Sequence, residues 1–182
     1  MAQPSMVRRF EIELADSDRG VYETLDLRVA QHPSESDRYL VARVIARCLE
    51  HAEGLVFTKG LAADDEPALW QRDLTDRLEA WIEVGAPSTD RLHRASKLGA
   101  RVAVYAWQRP RELAKQIAEA KVHRAEALEV RALDPAFLDR IAPTLDRNNR
   151  WELSVSGGGL YLTIAGKLHE STCERVTIAE AS

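Results

Sequence analysis

Between Trp151 and Ile164 apolar and polar residues alternate on both sides of a turn: Trp151, Leu153 and Val155, then Ser156 to Gly159, then Leu160, Leu162 and Ile164. Successive side chains of a strand point to opposite faces, so this two-residue period commits the segment to a hairpin with one buried face. The pattern recurs near the start. Phe10, Ile12 and Leu14 alternate, Asp16 to Gly20 supplies turn chemistry, and Leu25, Leu27 and Val29 alternate again. A chain with two such hairpins must build a sheet, and other segments demand helices. Leu40, Val41, Val44, Ile45, Cys48 and Leu49 fall on one broad stripe at helical spacing. The predicted helix runs from about Ser34 to Ala52, with Ser34 and Asp37 resembling a capping box and Gly54 as its stop.

Three short β-like runs follow, Leu55 to Thr58, Ala68 to Arg72 and Leu78 to Val84, the last two joined as a hairpin through Leu74 to Arg77. In the third run Ala80, Ile82 and Val84 share one pleat face, and Glu79, Trp81 and Glu83 share the other. Gly85, Pro87 and Ser88 break this strand and open a helix with Leu92, Ala95 and Ser96 inward and Arg91, Arg94 and Lys97 pointing away; Gly99 ends it. Further along, the pattern predicts a strand at Val102 to Trp107, a helix at Glu112 to Ala120, a strand at Ala125 to Val130 and a helix from Asp134 and Pro135 to about Ile141. The tail from Lys167 to Ser182 is polar and is expected to fray at its end. No repeat or linker-like tract divides the chain. The expectation is one domain over 1–182, of α/β (α+β) class, with a mixed central β-sheet flanked by helices and with N-terminal and C-terminal β-hairpins.

At 182 residues, 45% hydrophobic and with a mean hydropathy of -0.32, the chain can bury a full core without disulfides or metal staples. Its 25 Lys and Arg against 29 Asp and Glu argue against non-specific coating of nucleic acid, but leave room for a local basic patch. No apolar run approaches the roughly 18 residues of a membrane span, so no membrane association is expected. Cys48 and Cys173 lie far apart, one at an apolar helical phase and one in the polar tail, and read as reduced thiols. Met1 to Arg9 lacks the apolar stretch and cleavage site of a secretory signal, which predicts a cytoplasmic location. The five histidines show no zinc-protease spacing and there is no CxxC pair or Gly-x-Ser-x-Gly elbow. Gly157 to Gly159 lacks the Lys and helix of a phosphate loop and reads as a hairpin turn. No organic cofactor is expected.

The densest polar constellation is Gly60-Leu61-Ala62-Ala63-Asp64-Asp65-Glu66-Pro67, followed by Trp70 and by Trp81-Ile82-Glu83-Val84-Gly85. A loop and hairpin can set Asp65 beside Glu83. Two such carboxylates suit Mg2+ or Mn2+, hard cations that combine protein oxygens with water and substrate phosphates. The competing reading is a solvated acidic loop beside a surface strand. Glu35 lies about 130° from the centre of its helix's apolar stripe, a flank position where a cap or dipole role competes with cation binding. Arg91, Arg94, Lys97 and Arg101, with His93 among them, form either a phosphate-binding face or the solvated side of an amphipathic helix. Trp70, Trp81 and Trp107 offer stacking planes for bases or ordinary packing; Trp81 stands out because it shares a face with Glu83.

The strings His32-Pro33-Ser34-Glu35, Phe57-Thr58-Lys59-Gly60-Leu61, Ala63-Asp64-Asp65-Glu66-Pro67 with Trp70, and Trp81-Ile82-Glu83-Val84-Gly85 together resemble the YaeQ family, and the likeness extends over most of the chain. The resemblance implies a restriction-endonuclease-like fold, the group with the PD-(D/E)xK signature. Its core of a helix, a three-stranded antiparallel meander, a helix and a further strand would occupy approximately 34–107. By position, Asp65 would be the first acid and Glu83 the second, both as ligands of Mg2+ or Mn2+, with Glu35 a helix acid near the ion. The signature lysine is absent, because Gly85 stands in its place. Lys97 or Arg94, on the following helix, would have to reach back to steady a phosphate or a water. Two readings follow. One is a nucleic-acid or protein binding module with a degenerate site, contacting its partner through Arg91, Arg94 and Trp81. The other is a divalent-metal-dependent phosphodiesterase or nuclease using Asp65, Glu83 and a migrated basic residue.

Overall fold

The computed structural model describes residues 4–178. The alternating segments at the start form β1 (Met6–Asp16) and β2 (Val21–Gln31), paired antiparallel in register from Met6 with Gln31 to Asp16 with Val21. Then come α1 (Asp37–Leu49), β3 (Leu55–Phe57), β4 (Leu69–Arg72), β5 (Leu78–Val84), α2 (Thr89–Ser96), β6 (Arg101–Ala106) and α3 (Pro110–Glu119). The remainder holds β7 (Glu129–Leu133), α4 (Pro135–Ile141), β8 (Asn148–Ser156), β9 (Gly159–Ile164) and β10 (Lys167–Val176). These strands make one sheet in the order β2-β1-β8-β9-β10-β7-β6-β5-β4-β3. The β1/β8, β5/β6 and β6/β7 pairs are parallel and the other neighbours antiparallel. The class is therefore mixed α/β, with both expected hairpins present.

The sheet curls around α1. Phe10 and Val29 from one end of the strand order and Leu69 and Ile82 from the other share a single core cluster with Leu40, Val44 and Ile45 of α1 and Phe137 of α4. Every residue from Leu40 to Cys48 is buried, Arg43 and Arg47 included. A helix enclosed on all sides loses the polar face that a surface helix keeps. On the opposite, convex face, Leu92 and Ala95 of α2 and Leu113 and Ile117 of α3 cover Trp81, Val102, Val104 and Val130. The pleat division predicted for β5 holds: Ala80, Ile82 and Val84 belong to the α1 side and Trp81 to the α2 side.

Three local expectations change. Ser36, not Ser34, caps α1, its Oγ accepting from the Tyr39 N–H at 3.1 Å, and the helix ends at Leu49. Ser34 lies outside the helix, its Oγ 2.6 Å from Nδ1 of His32. The strand expected at Ala125 to Val130 begins later, after a 3-10 turn at Ala125–Ala127. The largest change is in the polar tail: its end, 179–182, expected to fray, lies outside the described residues, whereas Lys167–Val176 is β10. Its first part pairs with β9, from Lys167 with Ile164 to Thr172 with Gly159. Its last part pairs with β7, from Cys173 with Leu133 to Val176 with Val130. Backbone pairing on both sides holds this strand in place although only His169 and Cys173 are buried along it, so little apolar alternation marks it. Cys173 thus sits in the core rather than in a tail. No helix among the described residues is long and apolar enough to cross a membrane.

Candidate functional site

Glu83 is the penultimate residue of β5, on the pleat face turned toward α2. The chain then passes through Gly85 to Ser88, whose Oγ caps α2 by accepting from the Arg91 N–H at 3.2 Å. This short crossover sets Arg91 in the first turn of α2, directly over the end of β5. Its Nε donates to Oε1 of Glu83 at 2.6 Å, and Nε1 of Trp81 donates to the same oxygen at 2.8 Å. The two remaining guanidinium nitrogens donate to the backbone carbonyls of Asp64 and Glu66. One arginine therefore ties the acidic loop to the strand. The Glu66 carboxylate turns back into its own loop, accepting from the Lys59 N–H at 3.0 Å. Burial pushes the Glu83 carboxyl above its ordinary value, against the opposing pull of Trp81 and Arg91.

A cavity of about 270 Å³ opens here, lined by Tyr39, Gly60, Asp64, Glu66, Glu83 and Arg91 among others. Behind it lies a second ion pair. Nη1 of Arg43 donates to both carboxylate oxygens of Glu35, at 2.9 and 2.8 Å, and both side chains are 1% exposed. The Phe57 ring lies 5.3 Å from the guanidinium carbon, and Gly60, at φ +57°, packs against it, where a Cβ would sit at an ordinary contact distance of 3.5 Å. Tyr39 stands within electrostatic reach of both pairs, its hydroxyl pushed up to about 12 chiefly by burial.

The sequence expectations can now be placed. Glu35 is not on an exposed helix flank; it precedes α1 and is buried against Arg43. Asp65 is exposed and does not line the cavity, whereas its neighbours Asp64 and Glu66 do. Lys97 and Arg94 are exposed and make no ion pair among the described residues; the basic group that reaches Glu83 is Arg91, expected to point away. Trp81 is buried with its N–H engaged by Glu83, so it presents no open plane for a base. Trp70 is half-buried beneath Arg72, and Trp107 packs edge-on against Tyr39 at 6.0 Å. At Gly85 the backbone is left-handed, φ +97°, and a Cβ would meet the Tyr39 ring at 3.4 Å. A lysine would be strained at that position as well as missing from it.

A divalent cation does not fit this donor set as arranged. The same Glu83 oxygen receives a guanidinium and an indole N–H, and among the described residues no group of three His, Cys, Asp or Glu side chains could hold a metal ion. Sequence reasoning missed Arg43 and Tyr39. The available signal was a charged residue inside the apolar run Leu40 to Ile45, which a helix enclosed on all sides can keep only with a partner such as Glu35.

The family model described as YaeQ protein matches residues 1–173. The chain belongs to the YaeQ family. It is 30% identical to YaeQ of Escherichia coli (strain K12) over 90% of this chain and 91% of that one. YaeQ of Salmonella typhi is likewise 30% identical, over 91% of this chain and 92% of its own. The crystal structure of the YaeQ protein from Pseudomonas syringae superposes with a TM-score of 0.89 at 34% identity, covering 97% of this chain and 98% of that one. The YaeQ structure from Xanthomonas axonopodis pv. citri superposes with a TM-score of 0.87 at 31% identity, covering 96% and 99%. The names of these YaeQ relatives carry a family and no activity.

Proposed function

We propose that this YaeQ-family chain is a nucleic-acid binding module, built on a restriction-endonuclease-like core whose acidic site is closed by arginines. The order α1, β3-β4-β5, α2, β6 over Asp37–Ala106 supports the core assignment: a helix, an antiparallel meander, a helix, then a strand parallel to β5. One observation carries the binding function, a segregation of charge. Residues 88–128, which cover the convex face, hold nine Lys and Arg against four Asp and Glu, while the rest of the chain holds sixteen against twenty-five. Six of the nine, Arg94, Lys97, Arg109, Arg111, Lys121 and Arg124, are exposed and have no ion-pair partner among the described residues. Unpaired cations on one face attract a phosphate backbone and release its counterions, which needs no base readout. The two internal ion pairs, Glu35–Arg43 and Glu83–Arg91, occupy the carboxylates that hydrolysis in this fold group would require.

Fluorescence anisotropy of labelled single- and double-stranded DNA and RNA, across a salt series, tests this. The expected result is salt-sensitive binding whose log–log slope falls by about one when Lys97 or Arg94 is replaced by Ala. Binding that is absent, or that ignores both substitutions, overturns the nucleic-acid reading in favour of a protein partner. Parallel reactions with Mg2+ or Mn2+, beside Glu83→Ala and Asp65→Ala, address hydrolysis. Cleavage that both substitutions abolish would replace the binding module by a metal-dependent phosphodiesterase.

A further inference from the structure

A larger cavity, of about 480 Å³, lies at the other end of α1, on the concave side of the sheet. Its walls come from the end of β1, the β1–β2 turn, the C-terminus of α1, β6, β7 and β10. Tyr39 and Leu49 are ten residues apart on α1, so this space is about 15 Å along the helix axis from the Glu83 cavity.

Most of its polar lining is already engaged. Glu50 accepts from the Tyr105 hydroxyl at 2.7 Å and from Arg101, and Arg101 also pairs with Glu129 at 3.4 Å. Asp18 accepts from the Gly157 and Gly158 N–H groups at 2.7 and 2.9 Å, and the Arg19 guanidinium caps α1 through the Leu49 and His51 carbonyls, both at 2.9 Å. Two groups are left over. Asp16 is 1% exposed, yet its carboxylate accepts only the Arg19 backbone N–H, at 3.1 Å, and pairs with no cation among the described residues. Among the described residues Arg131 makes no side-chain hydrogen bond, its one ion pair is to Glu129 at 3.5 Å, and its Nε is buried without a partner. Buried charges and buried donors are ordinarily paired. Among the described residues, a carboxylate lacking a cation and a guanidinium held only by a long contact to Glu129 therefore line one space.

We infer that this cavity binds a small zwitterion, a metabolite-sized molecule with an amine that pairs with Asp16 and an anionic oxyacid group that pairs with Arg131. The planar guanidinium fork matches a carboxylate or a phosphate equally well. The volume suits a small ligand, and a sphere of that size is about 10 Å across, the span of a six-carbon chain with a charge at each end. Val155 and Leu160 supply apolar surface for that chain. The Cys173 thiol also lines the space, and burial pushes it up to about 12, which disfavours the thiolate there.

Isothermal titration calorimetry with the whole protein tests the inference. The probes are 6-aminohexanoate and 6-aminohexyl phosphate, with hexanoate and hexylamine as single-charge controls. Saturable binding of at least one zwitterion is expected, weakened about tenfold or more by Asp16→Asn and by Arg131→Gln, with both controls binding at least tenfold more weakly. The carboxylate and phosphate probes distinguish the two anionic groups. Asn keeps the acceptor for the Arg19 N–H, and circular dichroism melts check that each variant folds. If neither zwitterion binds, if a control binds as tightly, or if a folded variant binds with unchanged affinity, the inference is overturned.

Discussion

Arg91 joins a strand carboxylate to two loop carbonyls, so its removal acts on both at once. Arg91→Met leaves Glu83 buried without its cation, and breaking such a pair costs about 3 kcal/mol. Urea unfolding should show that loss, and adding Glu83→Gln to the same chain should recover part of it, because the stranded charge is then gone. A midpoint unchanged in Arg91→Met would mean the pair contributes nothing. Glu83 also makes a pH prediction. Its folded carboxyl titrates above the ordinary 4.5. Between those two values the folded protein keeps a proton that the unfolded chain releases, so this group's contribution to stability falls as pH rises. Glu83→Gln has no such term; its melting temperature relative to wild type should therefore climb as pH rises through and above the ordinary 4.5. A difference that is flat or falls with pH contradicts the upward shift. Glu83 and its pleat face were readable from alternation alone. Arg91 was not, because helical phase places a side chain around its own axis and is silent about what the preceding strand end brings beneath it.

At the scale of elements, the hairpins, the meander and α2 follow from local pattern, since each has turn residues at its ends and one apolar face. The strand β10 does not, because its stability comes from backbone pairing to neighbours far away in sequence. The Cys173 N–H donates to the Gly158 carbonyl at 3.2 Å, at the point where β10 leaves β9 and takes up β7. Cys173→Pro removes that donor from a strand paired on both sides and should cost about 3 kcal/mol more than Cys173→Ala, which keeps it. Equal unfolding midpoints for the two variants would show that this hydrogen bond contributes nothing to stability. Asp65 and Asp64 make the same point for the loop. Adjacent acids look alike in sequence, and only the carbonyl contacts from Arg91 decide which part of the loop turns toward the cavity.

For the whole molecule, the two faces of one sheet carry the two core clusters, so concave and convex sides should unfold together. Trp151 reports on the first and Trp81 on the second. Variants retaining one or the other tryptophan, the rest replaced by Phe, should give coincident fluorescence and far-ultraviolet transitions in urea. Separate midpoints would divide the chain into two cooperative units. The position of β10 has a further effect during synthesis. A ribosome releases β7 some forty residues before the end of β10, a lag of a few seconds at ordinary elongation rates. Until then the border of β7 that β10 will cover, and later that of β9, is open to any passing strand, and a nascent chain stalled in that interval exposes an unpaired sheet edge.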